Sequence, residues 1–495
     1  TREKYVTCLL SLIHTVDRYD NFMGMSETIN SPITRRSFLT GSAALGIGVA
    51  SALALSGPQA SAATVNDAVL PNAPKAKSGD KVVVSDLEVM TATPTSITFS
   101  WSTFKEPHTD HVIAERVASD CEVWLGRNNT KEPLRCVHKG YSTTGFHYVT
   151  VCGLKPNTEY RFECRSFGKK ADPGFWFTQV FDEPEVTGVV STIERPTGKY
   201  IQTVAVANDI HIGMSGKSIN STPWPEIMVS SMLAEIKRRG IPHVFINGDL
   251  CDHGKLEEAQ TLKRLLSAFG EYQKDYYMVR GNHDGFGMPA GPHSFDPIQK
   301  VFPQHKLQTC WTMNYGKLRV LGIDSSRTMN NAGVITDKQF QEIERILMQD
   351  PNRPTFVMAH HPVTEEAALT NAGQRPFILD KKDSMRLQRI FQKAPGVFFM
   401  AAGHTHRAHR DAADLPGGPQ FAQFCASTPY PGGFTLMDIY EGGYTVTFHR
   451  AATGQALQQI AYNRHKESAG FYGEYTISRM KDRCFTVKRD MSALR

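Results

Sequence analysis

Two textures of hydrophobic patterning divide the chain. From about residue 81 to 175, apolar and polar positions alternate. Ile97, Phe99 and Trp101 are interleaved with Ser96, Thr98 and Ser100, the period of a strand with one covered face and one wetted face. Residues 146–152 predict another strand. Tyr160, Phe162 and Cys164 resume the alternation after the turn Gly153-Leu154-Lys155-Pro156-Asn157-Thr158-Glu159. This half predicts a small all-β sandwich. From about residue 200 the apolar runs become short and continuous, at 204–207, 244–246, 356–359 and 397–400. They are too short for helices and lack polar alternation, which predicts strands covered on both faces. Helical periodicity separates them over 226–239, 256–269 and 339–348, the last introduced by the capping box Thr336-Asp337-Lys338-Gln339. Alternating strands and helices predict an α/β core over 200–465, with ligand-bearing loops at the carboxyl ends of its strands. Residues 434–439 and 444–448 predict two further strands of that core. Residues 466–495 are expected to be a basic tail laid on it.

Composition narrows the class. Of 495 residues, 40% are hydrophobic, enough to build a core in a chain of that length. No stretch has the ~20 uninterrupted apolar residues needed to cross a bilayer. The net charge of +6 is spread without dense basic blocks, which argues against specific nucleic-acid binding. The amino end carries Thr34-Arg35-Arg36-Ser37-Phe38-Leu39, then a weakly apolar stretch over 41–55, then Ala60-Ser61-Ala62. These three parts, in this order, resemble a bacterial twin-arginine signal, which implies the twin-arginine export machinery as a partner and a secreted or cell-envelope location. Residues 1–24, ahead of Met25, have no place in such a signal, and 63–80 read as a linker. Leaving out Cys8, eight cysteines follow. An even number outside the cytoplasm is compatible with disulfides and equally with buried thiols.

The chemistry is concentrated in five clusters, each behind an apolar run or predicted strand. They are Asp209-Ile210-His211, Gly248-Asp249-Leu250-Cys251-Asp252, Gly281-Asn282-His283-Asp284, His360-His361-Pro362 and Gly403-His404-Thr405-His406. Singly, each is an ordinary turn or packing sequence. Together and in order they predict a metal site. Imidazole with carboxylate suits manganese, iron or zinc better than magnesium or calcium. In an extended segment residues i and i+2 share a side, so Asp209 with His211, and His404 with His406, are expected to present paired ligands. Two ions ~3.5–4 Å apart would clamp a phosphoryl group and a bridging water. Arg280, Arg407 and His409 stand beside these clusters as candidate phosphate contacts or plain surface residues.

D-x-H, G-D-x-x-D, G-N-H-D, H-H-P and G-H-x-H in this order resemble the calcineurin-like metallophosphoesterase superfamily over about residues 200–410. The resemblance implies a two-sheet β-sandwich flanked by helices and a binuclear centre of divalent or trivalent metal ions. Asp209, His211, Asp249 and His406 would hold the first ion. Asp249, Asn282, His360 and His404 would hold the second, so that Asp249 bridges. His283 would contact the substrate phosphate and help the leaving group, with Asp284 orienting its ring. The implied activity is hydrolysis of phosphate mono- or diesters by a metal-bridging hydroxide. A catalytically lapsed extracellular binding module on the same fold is the alternative, and the complete ligand set argues against it. The G-L-x-P-x-T-x-Y turn ending at Tyr160 resembles the tyrosine corner of fibronectin type III domains. A sandwich of that kind leads the purple acid phosphatases, and here it is expected to be a passive spacer or positioning domain. Those enzymes carry a tyrosine three residues after the bridging aspartate, where this chain has Asp252. The ligand set is therefore more similar to class III cyclic nucleotide and glycerophosphodiester phosphodiesterases.

Overall fold

The computed structural model describes residues 72–108, 114–173, 182–285, 295–451, 453–466 and 473–495. The expected export signal, with Arg35 and Arg36, and residues 63–71 of the expected linker lie outside them. The first described half is built from β1 (Val82–Ala92), β2 (Ser96–Lys105), β3 (Ser119–Arg127), β4 (Arg135–Ser142), β5 (Phe146–Cys152), β6 (Glu159–Ser166), β7 (Lys169–Lys170) and β8 (Val189–Ser191). One sheet has the order β1-β2-β5 and the other β4-β3-β6-β7, with β8 also paired to β6. Alternation places Ile97, Phe99 and Trp101 inside, against Val123, Leu125 and Phe162. The Tyr160 hydroxyl accepts the Lys155 backbone N–H at 3.0 Å, closing the turn before β6. The sheet runs on past residue 175 through β8, a strand too short to register as alternation.

The second half holds two six-stranded sheets. In the first, β9 (Tyr200–Ala207), β10 (Val244–Asn247) and β11 (Tyr276–Val279) run parallel. It continues antiparallel through β18 (Gly433–Tyr440), β19 (Gly443–Arg450) and β20 (Cys484–Lys488). The second contains β12 (Cys310–Tyr315), β13 (Leu318–Ile323), β14 (Thr355–Ala359), β15 (Val397–Ala402), β16 (His409–Asp411) and β17 (Gln420–Gln423). Its order is β12-β13-β14-β15-β17-β16, parallel from β13 to β17. Val204, Val206, Phe245, Phe356, Met358 and Phe399 fill the space between the sheets. On the outer face of the first sheet, Ile246 and Met278 meet Met228, Met232 and Leu262 from helices α1 (Trp224–Arg238) and α2 (Leu256–Ser267). On the outer face of the second, Leu321 and Val357 meet Phe340, Ile343 and Leu387 from α3 (Asp337–Met348) and α4 (Lys381–Lys393). Burial on both faces is why these strands read as continuous apolar runs. Thr336 and Gln339 form the expected capping box at the start of α3.

Two expectations change here. Residues 466–495, expected as a tail, supply β20 and so complete the first sheet. The leading sandwich, expected as a passive spacer or positioning domain, packs its β1 into the second half, closer than a passive spacer would. Met90 joins the core beneath the first sheet. Glu88 accepts from Arg450 Nη2 and from Arg464 Nε, both at 2.8 Å, and Asp86 accepts from Arg464 Nη1 at 3.1 Å. Arg483 donates to the carbonyls of Val89 and Met90. All these polar groups are buried, so each pair stands in for water that neither partner can reach.

Candidate metal centre

Every motif leaves the carboxyl end of a parallel strand. Asp209 follows β9, Asp249 follows β10, Asn282 follows β11, His360 follows β14 and His404 follows β15. The loops are laced together by backbone bonds. Ile210 and His211 both donate to the Asp249 carbonyl at 2.8 Å, and the Gly403 N–H donates to the His360 carbonyl at 2.9 Å. Across the two sheets, the His404 N–H donates to Asp209 Oδ1 at 2.9 Å.

The backbone brings the paired ligands together by a route the pattern did not imply. Asp209, His211, Asp249, His404 and His406 have φ of 51°, 47°, 46°, 67° and 55°. The ligand residues themselves are therefore left-handed, which breaks the extended run, and Asp and His are among the non-glycine types most often found there. Close packing explains two neighbouring glycines. A Cβ on Gly248 (φ +88°) would sit 2.3 Å from the His360 ring, and one on Gly281 would sit 2.1 Å from Asp249 Oδ1.

Ligand-capable atoms of Asp209, His211, Asp249 and His406 all lie within 4.8 Å of one another. His211 Nε2 and His406 Nε2 are 3.1 Å apart. Asp249 Oδ2 lies 3.5 Å from His211 Nε2 and 3.3 Å from His360 Nε2, so it faces both groups of ligands. Asn282 Oδ1 is 3.2 Å from His360 Nε2, whose other nitrogen faces the Asn247 carbonyl at 3.0 Å. His360, His361 and His404 form a second group with ligand atoms within 4.8 Å. The donor set fits transition-metal ions, and buried His404 Nε2 has no hydrogen-bond partner among the described residues. Burial disfavours charge on His211, but Asp252, Asp249 and Asp209 outweigh it and push the ring up to about 9. Burial likewise opposes charge on His360, and Asp249 raises it to about 9. His406 is lowered to about 4 by burial. Asp249 is buried too, but His360 and His283 hold its carboxyl well below the usual range.

The family model for calcineurin-like phosphoesterases matches residues 202–408, a segment that contains all nine expected site residues. This segment is a calcineurin-like phosphoesterase domain. Over 201 residues the chain is 26% identical to a glycerophosphodiester phosphodiesterase, GpdQ, of Enterobacter lignolyticus. That match covers 38% of this chain and 66% of the relative, a little under two thirds of its length. A probable glycerophosphodiester phosphodiesterase of Arcobacter nitrofigilis is 21% identical over 211 residues, 41% of this chain and 71% of that one. Among solved structures, a purple acid phosphatase from yellow lupin seeds aligns at 13% identity and TM-score 0.42, covering 84% of this chain and 76% of its own. A dimetal phosphatase from Danio rerio aligns at 13% and 0.41, covering 52% and 98%.

Within the phosphoesterase domain, several residues depart from their expected parts. Asp284 does not touch the His283 ring. Its two oxygens accept backbone N–H groups of Gly281, Cys251 and Leu250 at 2.8, 2.9 and 3.1 Å. Burial, with Asp249 nearby, pushes its carboxyl up to about 7. The His283 ring is set by the Asp252 carbonyl, 2.7 Å from Nδ1. Asp252 also takes His211 Nδ1 on its side chain at 3.0 Å, a support the G-D-x-x-D spacing could have suggested. Asn208, which donates to Asp209 Oδ2 at 2.5 Å, gave no signal beyond standing next to a motif. Arg280, Arg407 and His409 spend their donors on structure. Arg280 is buried on Asp296, Arg407 donates to the Thr370 carbonyl, and His409 pairs with Asp411. A further grouping, Asp86 with His108 and His465, lies in the leading sandwich and its seam, and Arg464 already neutralises its carboxylate.

Proposed function

We propose that this protein hydrolyses phosphate mono- or diesters at a binuclear metal centre held by Asp209, His211, Asp249, Asn282, His360, His404 and His406. The observation that carries the reading is the position of Asp249, whose one oxygen faces the imidazoles of His211 and His360 from opposite ligand groups. Bound there, two manganese, iron or zinc ions would supply Lewis acidity and a hydroxide near neutral pH. The protein's own part is to orient the ligands. Asp252 fixes His211 through Nδ1, and the Asn247 carbonyl fixes His360, which leaves each Nε2 directed inward. His283 donates its backbone N–H to Asp249 Oδ1 at 3.0 Å, and its side chain keeps 24% of its surface exposed at the mouth of the site. The Asp252 carbonyl holds a proton on His283 Nδ1. Nε2 must therefore take up a second proton before it can pass one to a departing oxygen.

Both curated relatives carry the name glycerophosphodiester phosphodiesterase, which favours a diester with a small alcohol. The discriminating assay compares bis-nitrophenyl phosphate with nitrophenyl phosphate on protein loaded with manganese, iron or zinc. Faster turnover of the diester is expected. Retained metal with turnover of neither ester would favour the lapsed binding module. We also propose that the leading sandwich is fibronectin type III-like, on the strength of the Tyr160 corner, and that export follows the twin-arginine route. Arg35 and Arg36 replaced by lysines should then strand the precursor in the cytoplasm, and unimpaired export would exclude that route. No helix among the described residues is long and apolar enough to cross a membrane.

A further inference from the structure

Of the seven large apolar side chains that stand exposed among the described residues, three belong to segments that border the candidate metal centre. Phe295, Met329 and Leu369 leave 49%, 64% and 72% of their surface open. Phe295 precedes Asp296, the partner of Arg280 at the carboxyl end of β11. Met329 is two residues from Asn331, whose Oδ1 accepts from Asn282 Nδ2 at 3.4 Å. Its neighbour Thr328 packs on the same motif loop, since a Cβ on Gly285 would sit 3.3 Å from Thr328 Cα. Leu369 lies in the short helix Glu365–Thr370. Arg407, next to His406, donates to the Thr370 carbonyl at 2.6 Å. Apolar residues exposed singly are ordinary. Three of them bordering one cleft mark a rim that an apolar group covers.

A fourth apolar side chain is held at this rim under strain. Half-buried Phe377 stacks on the His404 ring, with centroids 4.9 Å apart. Its loop is tight, since a Cβ on Gly373 would lie 2.2 Å from the Phe377 ring. Gln374 has φ 54° and ψ −149°, a backbone that glycine adopts freely and other residues rarely. Asn371 Nδ2 braces the turn by donating to the carbonyls of Ala367 and Gln374 at 2.6 and 3.1 Å. The strain is spent on placing a benzene ring beside the second ligand group. His283 and Asp252, by contrast, stand against His211 of the first group.

We propose that the substrate is a phosphodiester with one hydrocarbon arm, and that Phe377, Leu369, Met329 and Phe295 form the lip over which this arm lies. The inference rests on the phosphodiester reading above and deepens it. One arm is the small alcohol, and the other is an alkyl or acyl chain of the kind a lysophospholipid carries. A diester whose phosphorus sits between the two ligand groups must send both arms out through the mouth, and an arm that leaves past His404 meets Phe377 first. The occupant is a singly dispersed ester. Four side chains make a small apolar surface, and the basic residues are spread over the sequence without the dense block that draws a protein to an anionic bilayer.

Calorimetric titration of the metal-loaded full chain with methyl, butyl and octyl phosphate, each below its micelle-forming concentration, tests this without turnover. Affinity is expected to rise about threefold per methylene over the first part of the chain and ~100-fold from methyl to octyl. The heat-capacity change should become more negative along the series. Equal affinity for all three would overturn the proposal. Met329 has φ 55°, which asparagine tolerates, so M329N combined with L369N changes two exposed positions without new strain. That double variant should cut the octyl advantage to about tenfold, and an undiminished advantage would take the chain off this lip and overturn the assignment. Turnover separates the proposal from the reading beneath it. Methyl and octyl nitrophenyl phosphate should both be hydrolysed, the octyl ester with the lower KM. Hydrolysis of both with one KM would overturn the apolar arm and leave the phosphodiesterase reading standing. Chain-dependent binding with hydrolysis of neither would overturn that reading and leave the lip its ligand. Phosphatidylglycerol vesicles should sediment without the protein. Co-sedimentation that the double variant loses would make a bilayer the occupant and overturn the single ester.

Discussion

A carboxylate that lies 3.5 Å from one ring and 3.3 Å from another cannot be removed without loosening both ligand groups. Asp249→Ala is therefore expected to lower bound metal at both sites and to reduce turnover by at least a thousandfold, the scale on which losing a transition-state electrostatic contact is felt. Elemental analysis that still finds two ions per chain would remove the bridge. The left-handed φ at Asp249 adds a second expectation. Asp249→Asn keeps a side chain at ease in that conformation, whereas Asp249→Val adds a β-branched strain of about 1–3 kcal/mol. The two variants should be equally inactive but differ in thermal midpoint, and equal midpoints would mean that the loop relaxes. His283 offers a different contrast. If its ring protonates the departing oxygen, His283→Gln should retain metal and lose on the order of a hundredfold more rate with alkyl esters than with nitrophenyl esters. An equal loss for both would assign it charge stabilisation instead.

Single elements show why part of the site was legible and part was not. The five clusters could be read because each sits behind a strand buried on both faces, so an apolar run announces the loop that follows. Of the His360–His361 pair, His360 is expected because it follows the strand directly, and its Nε2 lies 3.3 Å from Asp249 Oδ2. The direction of Asp284 was hidden. Sequence adjacency suggested the neighbouring ring, but the acceptor is needed by Gly281 on its own loop and by Leu250 and Cys251 on another, which the parallel pairing of β10 with β11 brings within reach. Asp284→Ala should leave three buried N–H groups without an acceptor and lower the stability of the metal-free protein by about 2–4 kcal/mol. A change below 0.5 kcal/mol in urea denaturation would show that water replaces the carboxylate. In the leading sandwich, His147 stacks on Trp101 at 4.7 Å beside Ser119 Oγ. Burial lowers its pKa to about 3. The unfolded chain takes up a proton near pH 6.5 that the folded ring refuses, so stability is lost as pH falls below that value. At pH 5 this amounts to about 2 kcal/mol. His147→Gln should flatten the drop in unfolding free energy between pH 7.5 and 5, read from urea denaturation, by that amount, and an unchanged drop would place the titration elsewhere.

Across the whole molecule the boundary between the two halves proves less clean than the change in patterning implied. Composition shifts near residue 200, yet β1 lends Met90 to the core under the first sheet and sets Glu88 between Arg450 and Arg464. Removing residues 81–175 would leave two buried guanidinium groups without their counter-ion, at about 3–5 kcal/mol per broken buried pair. The truncated chain is expected to be insoluble or to bind hydrophobic dyes, and a monomeric, cooperatively folding truncation would contradict that. The same seam bears on how such a chain can be recombined. A leading sandwich borrowed from another protein would arrive with its own strand in place of β1, and would fit only if its acidic side chains met arginines supplied from almost the other end of the polypeptide. The pair is thus inherited as one piece, and exchange of modules at the boundary near residue 200 is closed to it unless both sides of the seam change together.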